Sequence, residues 1–135
     1  GLREVPGAVA AVKRCAARAP VAVVSGSFRF EVLETMRLLG LADLLALVVT
    51  NEDCRPGKPD PGPYLLAAQT LGVDPQRCVV FEDSAIGLIA ARAAGMLAIE
   101  VTALHRAPLP EGLAHLRIRD FHEVDEEWLA TKLSF

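Results

Sequence analysis

Three polar clusters in this 135-residue sequence hold the side chains best suited to chemistry: Ser25-Gly26-Ser27, Gly57-Lys58-Pro59-Asp60-Pro61 and Glu82-Asp83-Ser84. The Ser25 hydroxyl and the backbone N–H of Gly26, just ahead of a helix start, suit a phosphate oxygen. Lys58 is a point positive charge on a proline-stiffened loop, suited to neutralising phosphate. Glu82 and Asp83 are hard oxygen donors, and Mg²⁺ needs one or two protein carboxylates beside water and phosphate oxygens. A hydroxyl, an ammonium and two carboxylates together describe a Mg²⁺-dependent phosphate site. Taken singly, each cluster has a plainer use. Ser25 can belong to a helix-capping turn, Lys58 can be a solvated loop charge, and Glu82-Asp83-Ser84 can cap a helix at its positive end. Order along the chain and placement at strand ends favour the joint reading.

The elements that must position these clusters follow from the apolar pattern. Val21–Val24, Leu47–Thr50, Cys78–Phe81 and Leu97–Val101 are short apolar runs of the kind found in parallel strands covered on both faces. Helical stripes lie between them, over Val5 to Arg18, Phe28 to Leu39, Pro61 to Leu71 and from Ile86 to Ala93. Asp60 is placed to cap the third of these helices, and Gly72 to stop it. A looser segment containing Pro108, Pro110 and Gly112 leads to a small edge strand over Leu116–Ile118 and a terminal helix over Val124–Leu133. The alternation predicts an α/β fold with a mostly parallel sheet and no internal repeat. In open parallel sheets ligands bind beyond the carboxyl ends of the strands. The first three runs end in the polar segments: Val21–Val24 in Ser25, Leu47–Thr50 in Asn51-Glu52-Asp53 and then Lys58, and Cys78–Phe81 in Glu82.

Composition narrows the classes. With 52% hydrophobic residues and a net charge of −3, the chain is not expected to be disordered. Its 14 basic and 17 acidic residues give no reason to expect a nucleic acid or an anionic membrane as partner. No run is long and apolar enough to span a bilayer, no signal peptide is visible, and a cytoplasmic location is expected. Cys15, Cys54 and Cys78 are odd in number and lack C-x-x-C spacing, so reduced thiols are expected rather than a disulfide framework or zinc site. His105, His115 and His122 are read as surface or loop residues. A closed domain of this size would expose roughly 6,800 Å².

The three clusters in this order also resemble a known family. Val21-Ala22-Val23-Val24-Ser25-Gly26-Ser27 is similar to the second motif of the haloacid dehalogenase-like (HAD) superfamily. Gly57-Lys58-Pro59-Asp60-Pro61 with Tyr64 is similar to the third. Phe81-Glu82-Asp83-Ser84, with Gly87, Ala90-Ala91 and Ala94-Gly95-Met96, is similar to the fourth. The branch resembled is that of β-phosphoglucomutase and phosphoglycolate phosphatase, over about Val5 to Val101. The resemblance implies a Rossmann-like three-layer parallel sheet and a Mg²⁺-dependent phosphatase of small phosphorylated metabolites that works through an aspartyl-phosphate. It implies that Ser25 and Gly26 bind the phosphoryl group and that Lys58 binds phosphate and offsets charge at the nucleophile. Asp83 would ligate Mg²⁺, and Glu82 would ligate it or orient its shell. A phosphomutase of the β-phosphoglucomutase type, or a non-catalytic binding module, are the alternatives.

One family motif has no counterpart. The aspartates are Asp43, Asp53, Asp60, Asp74, Asp83, Asp120 and Asp125, and no two have the D-x-D spacing that supplies the family's nucleophile. Residues 1–135 are therefore expected to be the C-terminal part of a HAD-like core domain, without the first strand and cap, and inactive alone. Gly1 falls where the chain would return from that cap. Val21–Val24 and Cys78–Phe81 would then face each other across the place of a strand. That place would be filled by an N-terminal segment or a second copy of the chain.

Overall fold

In the computed structural model, which describes residues 5–103, 105, 107 and 109–134, the apolar runs form five short parallel strands. The expectations attached to Gly1 and Pro108 lie outside the described residues. The strands are β1 (Ala22–Val24), β2 (Leu47–Val49), β3 (Val79–Glu82), β4 (Leu97–Val101) and β5 (Leu116–Ile118). The helices are α1 (Ala8–Ala16), α2 (Arg29–Leu38), α3 (Gly62–Leu71), α4 (Ala85–Ala93) and α5 (Glu126–Leu133).

The strands alternate their side chains between two helical layers, as the period of two requires. Val79, Phe81, Ile99, Val101 and Ile118 face α1 and α5 in one core. Val80, Ala98 and Val24 face Tyr64 and Ala68 of α3 and the alanine-rich side of α4 in another. Val23 and Val48 pack with Val32 and Met36 of α2. The small residues Ala90, Ala91 and Ala98 are fully buried and let α4 lie close on β4. This is the expected three-layer α/β arrangement.

Element ends depart from the sequence reading by a few residues, each for a local reason. α1 starts at Ala8 because Gly7 ahead of it is left-handed, with φ 81°. α5 starts at Glu126 because the Asp125 carboxylate accepts the Trp128 N–H at 2.8 Å, a side-chain cap. Gly72 closes α3 at φ 69°, as expected. Short 3₁₀ turns at Ala42–Leu44, Pro75–Arg77 and Phe121–Glu123 have no counterpart in the sequence reading, since three residues carry no detectable period.

The strands do not form one sheet. β1 pairs with β2, with Val23 opposite Val48, while β3, β4 and β5 form a second ladder. β1 and β3 face each other across a cleft of about 1240 Å³, lined by Val21–Val24 on one side and Val79–Phe81 on the other. The accessible surface is 7664 Å², above the roughly 6,800 Å² of a closed domain of this mass. The excess is what an open seam through the middle of a sheet produces.

Candidate active site

The cleft between β1 and β3 opens at the carboxyl ends of both strands, and there it is lined by Ser25, Gly26, Lys58, Glu82 and Asp83. All five residues singled out from the sequence thus come together at one rim. Each gets there by a different local device.

Ser25 follows β1 directly, and its N–H still donates to Val49 of β2 at 2.9 Å. Its Oγ accepts the Ser27 N–H at 3.0 Å, which shapes the turn. The hydroxyl does not cap α2, whose N-cap is Phe28 without a side-chain bond. Asn51, after β2, donates through Nδ2 to the Gly26 carbonyl at 2.8 Å and so ties the two loops together.

Lys58 reaches across the cleft mouth. Its Nζ donates to the Val24 carbonyl at 2.9 Å and to Glu82 Oε2 at 2.8 Å, and lies 5.1 Å from the centre of the Tyr64 ring. One ammonium thereby joins the end of β1 to the end of β3. The pair is largely desolvated, with side chains 13% and 12% exposed. Such a charge is fixed in place rather than free in solvent.

Glu82 is the most heavily engaged group of the site. Oε2 accepts from Lys58 and from the Tyr64 hydroxyl at 2.8 Å; Oε1 accepts from the Asp83 N–H and the Ser84 hydroxyl, both at 3.2 Å. A carboxylate offers about four lone-pair sites, and here all four are used. Burial alone would raise this carboxyl. The Lys58 charge and the bonds from Lys58, Tyr64 and the Asp83 N–H outweigh it and hold the group below its ordinary range. Tyr64 is driven the other way, well above the ordinary phenol value, first by burial and then by the Glu82 charge. The sequence reading has Glu82 ligating a metal or orienting its shell; its oxygens face Lys58, Tyr64 and the following turn.

Asp83 is the carboxylate left to the cleft. It is exposed, and its side chain makes no hydrogen bond or ion pair among the described residues. The plainer role of the third cluster falls to Ser84, whose Oγ accepts the Gly87 N–H at 3.1 Å and caps α4. Among the described residues no three His, Cys, Asp or Glu side chains gather into a metal cage. A Mg²⁺ that keeps its waters and shares a phosphate oxygen needs no cage. One exposed carboxylate, without a side-chain partner among the described residues, fits it beside Ser25 and Lys58.

Gly87 makes this arrangement possible. A Cβ at that position would lie 2.1 Å from the Glu82 carboxylate. Alanine in a helix interior ordinarily stabilises by about 1 kcal/mol over glycine. Here the sign is expected to reverse. Gly87→Ala must push out a carboxylate held by four bonds, and overpacking of this kind costs about 1–3 kcal/mol. Urea unfolding should show Gly87→Ala less stable than the parent, and a more stable variant would contradict the geometry.

His105 lies in the loop after β4, as one of the read alternatives has it, but its side chain is only 11% exposed and its Nε2 lies 2.7 Å from the Asp83 carbonyl. His115 serves the backbone instead, its Nδ1 accepting the Ala98 N–H at 2.9 Å. Cys15, Cys54 and Cys78 are free thiols, each partly buried.

The comparisons with known proteins agree with this architecture. The family model of haloacid dehalogenase-like hydrolases matches residues 2–95. The chain belongs to that family. Among HAD-like relatives, the fructose-1-phosphate phosphatase YqaB of Escherichia coli (strain K12) is 43% identical over 93 residues, 69% of this chain and 50% of its own length. A HAD family hydrolase from Deinococcus radiodurans R1, solved with bound phosphate and sodium, is 31% identical, with a TM-score of 0.78 over 96% of this chain and 60% of its own. The β-phosphoglucomutase of Clostridium difficile shares the fold, with a TM-score of 0.80 at 23% identity over 96% of this chain and 56% of its own. This HAD-like chain spans about half the length of the curated relatives it matches. No helix among its described residues is long and apolar enough to cross a membrane.

Proposed function

We propose that residues 1–135 form the greater part of the core domain of a Mg²⁺-dependent phosphatase acting on small phosphorylated metabolites, phosphorylated sugars first among them. The observation that carries this reading is the Lys58 ammonium, bonded to both Val24 and Glu82 at the mouth of a cleft that Ser25 and Asp83 also line. The phosphatase names of the relatives support it.

In this reading the Ser25 hydroxyl and the Gly26 N–H hold phosphoryl oxygens. Lys58 meets the charge that builds on them, and a fixed cation in a dry site is worth far more than one in water. Glu82 and Tyr64 hold Lys58 in place. Asp83 is the carboxylate that would hold Mg²⁺, which supplies charge neutralisation at the phosphate. The nucleophile is an aspartate carried on a further strand seated between β1 and β3. Its carboxylate attacks phosphorus as the ester P–O bond breaks, the leaving oxygen takes a proton, and water then cleaves the aspartyl-phosphate. The cleft supports that strand by size. At about 1240 Å³ it exceeds the range of roughly 300–1,000 Å³ for small-ligand pockets, and much of its wall is strand edge.

The test is phosphate release from a panel of sugar phosphates by the protein with that strand present, with Mg²⁺ or with EDTA. Asp83→Asn is expected to lower turnover at least about a hundredfold and to blunt the response to Mg²⁺. Full Mg²⁺-dependent turnover by Asp83→Asn would remove Asp83 from the site, and transfer of phosphate back to sugar instead of to water would favour a mutase.

A further inference from the structure

The Glu82 and Glu100 side chains are register partners on β3 and β4, and Glu100 is in turn the register partner of Arg117 on β5. Two carboxylates therefore stand side by side on one face of the sheet, an arrangement that is destabilising unless each has its own cation. Glu82 has Lys58. Glu100 is 1% exposed, and its Oε1 accepts from Arg117 Nε at 3.3 Å and Nη2 at 3.2 Å. Its other oxygen, Oε2, lies 3.2 Å from His105 Nδ1 without hydrogen-bond geometry; both atoms are buried and lack a hydrogen bond among the described residues. The second ring nitrogen of His105, Nε2, is 2.7 Å from the carbonyl oxygen of Asp83. A carbonyl can only accept, so Nε2 is the donor.

These contacts form one chain, Arg117 to Glu100 to His105 to the Asp83 carbonyl, leading from the edge strand to the rim of the cleft. From it we infer that His105 is a positioning residue for Asp83. Its bond fixes the plane of the Asp83–Ser84 peptide and hence the direction in which the exposed Asp83 carboxylate leaves the end of β3. Glu100, itself held by Arg117, lies beside the ring. The peptide matters because little else holds this turn from outside. The Asp83 N–H is bonded to its neighbour Glu82, and Ser84 is engaged in capping α4. A carboxylate on an unclamped turn would sample several directions, and a cation that accepts few protein ligands would lose affinity with each. The inference rests on the reading of Asp83 as the cation-facing carboxylate. The three clusters do not signal it, since His105 lies beyond the last of them.

The experiment compares His105→Leu, His105→Ala and His105→Gln with the parent in the protein that carries the further strand. One readout is the backbone ¹⁵N shift and hydrogen exchange of Ser84, whose peptide carries the bonded carbonyl. The other is binding of Mn²⁺ as a probe for Mg²⁺. His105→Leu is expected to shift the Ser84 resonance, speed its exchange and weaken Mn²⁺ by about tenfold or more, the range seen when partners of metal ligands are removed. His105→Gln, whose amide can still donate to the carbonyl, should restore both readouts to near the parent, whereas His105→Ala should behave as His105→Leu. An unmoved Ser84 signal in His105→Leu would overturn the inference, as would equal losses in the Leu and Gln variants. If His105→Leu does not fold, Ser84 in His105→Ala decides, because alanine removes the same donor without adding apolar bulk. Failure of the phosphatase reading looks different: the parent would bind no Mn²⁺ and release no phosphate, while Ser84 would still report on His105.

Discussion

In the protein that carries the proposed nucleophile strand, Lys58→Met is expected to lose about a thousandfold in phosphate release and about 3 kcal/mol in stability, and the two losses should be separable. The stability loss comes from Glu82. Removing one partner of a buried ion pair leaves an uncompensated charge and costs about 3–5 kcal/mol. Here the carboxylate also keeps the Tyr64, Asp83 and Ser84 donors, which favours the lower end of that range. The activity loss comes from the fixed positive charge at the phosphoryl group, where removal of one well-placed donor typically costs 10²–10³ in rate. Glu82→Gln in the Lys58→Met background removes the stranded charge. Urea unfolding of the double variant should return most of the lost stability, whereas phosphate release should stay low. Recovery of both together would mean that Lys58 acts through folding alone. Recovery of neither would mean that the Lys58–Glu82 pair is not the link between β1 and β3 that its 2.9 and 2.8 Å bonds describe.

That pair also marks the limit of what residue types could tell in advance. An apolar run that stops at a polar cluster announces a strand end, and strand ends in a parallel sheet share a rim. Ser25, Lys58, Glu82 and Asp83 were therefore legible as neighbours. Which oxygen faces which donor was not. The role of Glu82 depends on Tyr64 from α3 and on the missing Cβ of Gly87 in α4, contacts that join elements far apart in sequence. His105 is the sharper case. It follows β4 in a segment where the apolar period fades, and one histidine in such a segment is ordinarily a surface residue. Its placement depends on Glu100, a buried charge inside a strand otherwise read as Leu97 to Val101. A glutamate in an apolar run is a signal in itself, because a charge buried there demands partners. That demand was the legible trace of the Arg117–Glu100–His105 chain.

The second large effect concerns the edges of the cleft. In a parallel strand, successive residues turn their N–H and C=O groups to opposite sides. Val21 and Ser25 bond to β2, so Ala22 and Val24 turn theirs to the cleft, and Lys58 meets the Val24 carbonyl there. Cys78 bonds to Leu97 of β4, so Val79 and Phe81 turn theirs to the cleft from the other side. In the 135-residue chain the amides of Ala22, Val24, Val79 and Phe81 are expected to exchange fast, beside slow neighbours at Val23 and Val80. A strand seated between β1 and β3 should slow all four at least about a hundredfold, because they become interior ladder amides that exchange through larger openings. It should also cover the apolar walls of the cleft, at about 25 cal/mol per Å² of apolar area removed from water. Hydrogen exchange followed by NMR separates the possible occupants. Protection that rises with protein concentration identifies a second copy pairing through these edges, the hazard of any open apolar edge. Protection that appears only when an aspartate-bearing strand is supplied, in a longer chain or as a peptide, identifies the strand proposed to carry the nucleophile. Four slow amides in the dilute chain alone would mean that β1 and β3 close on each other in solution. The cleft would then be no seat for a strand, and the proposed phosphate site would have to find its nucleophile elsewhere.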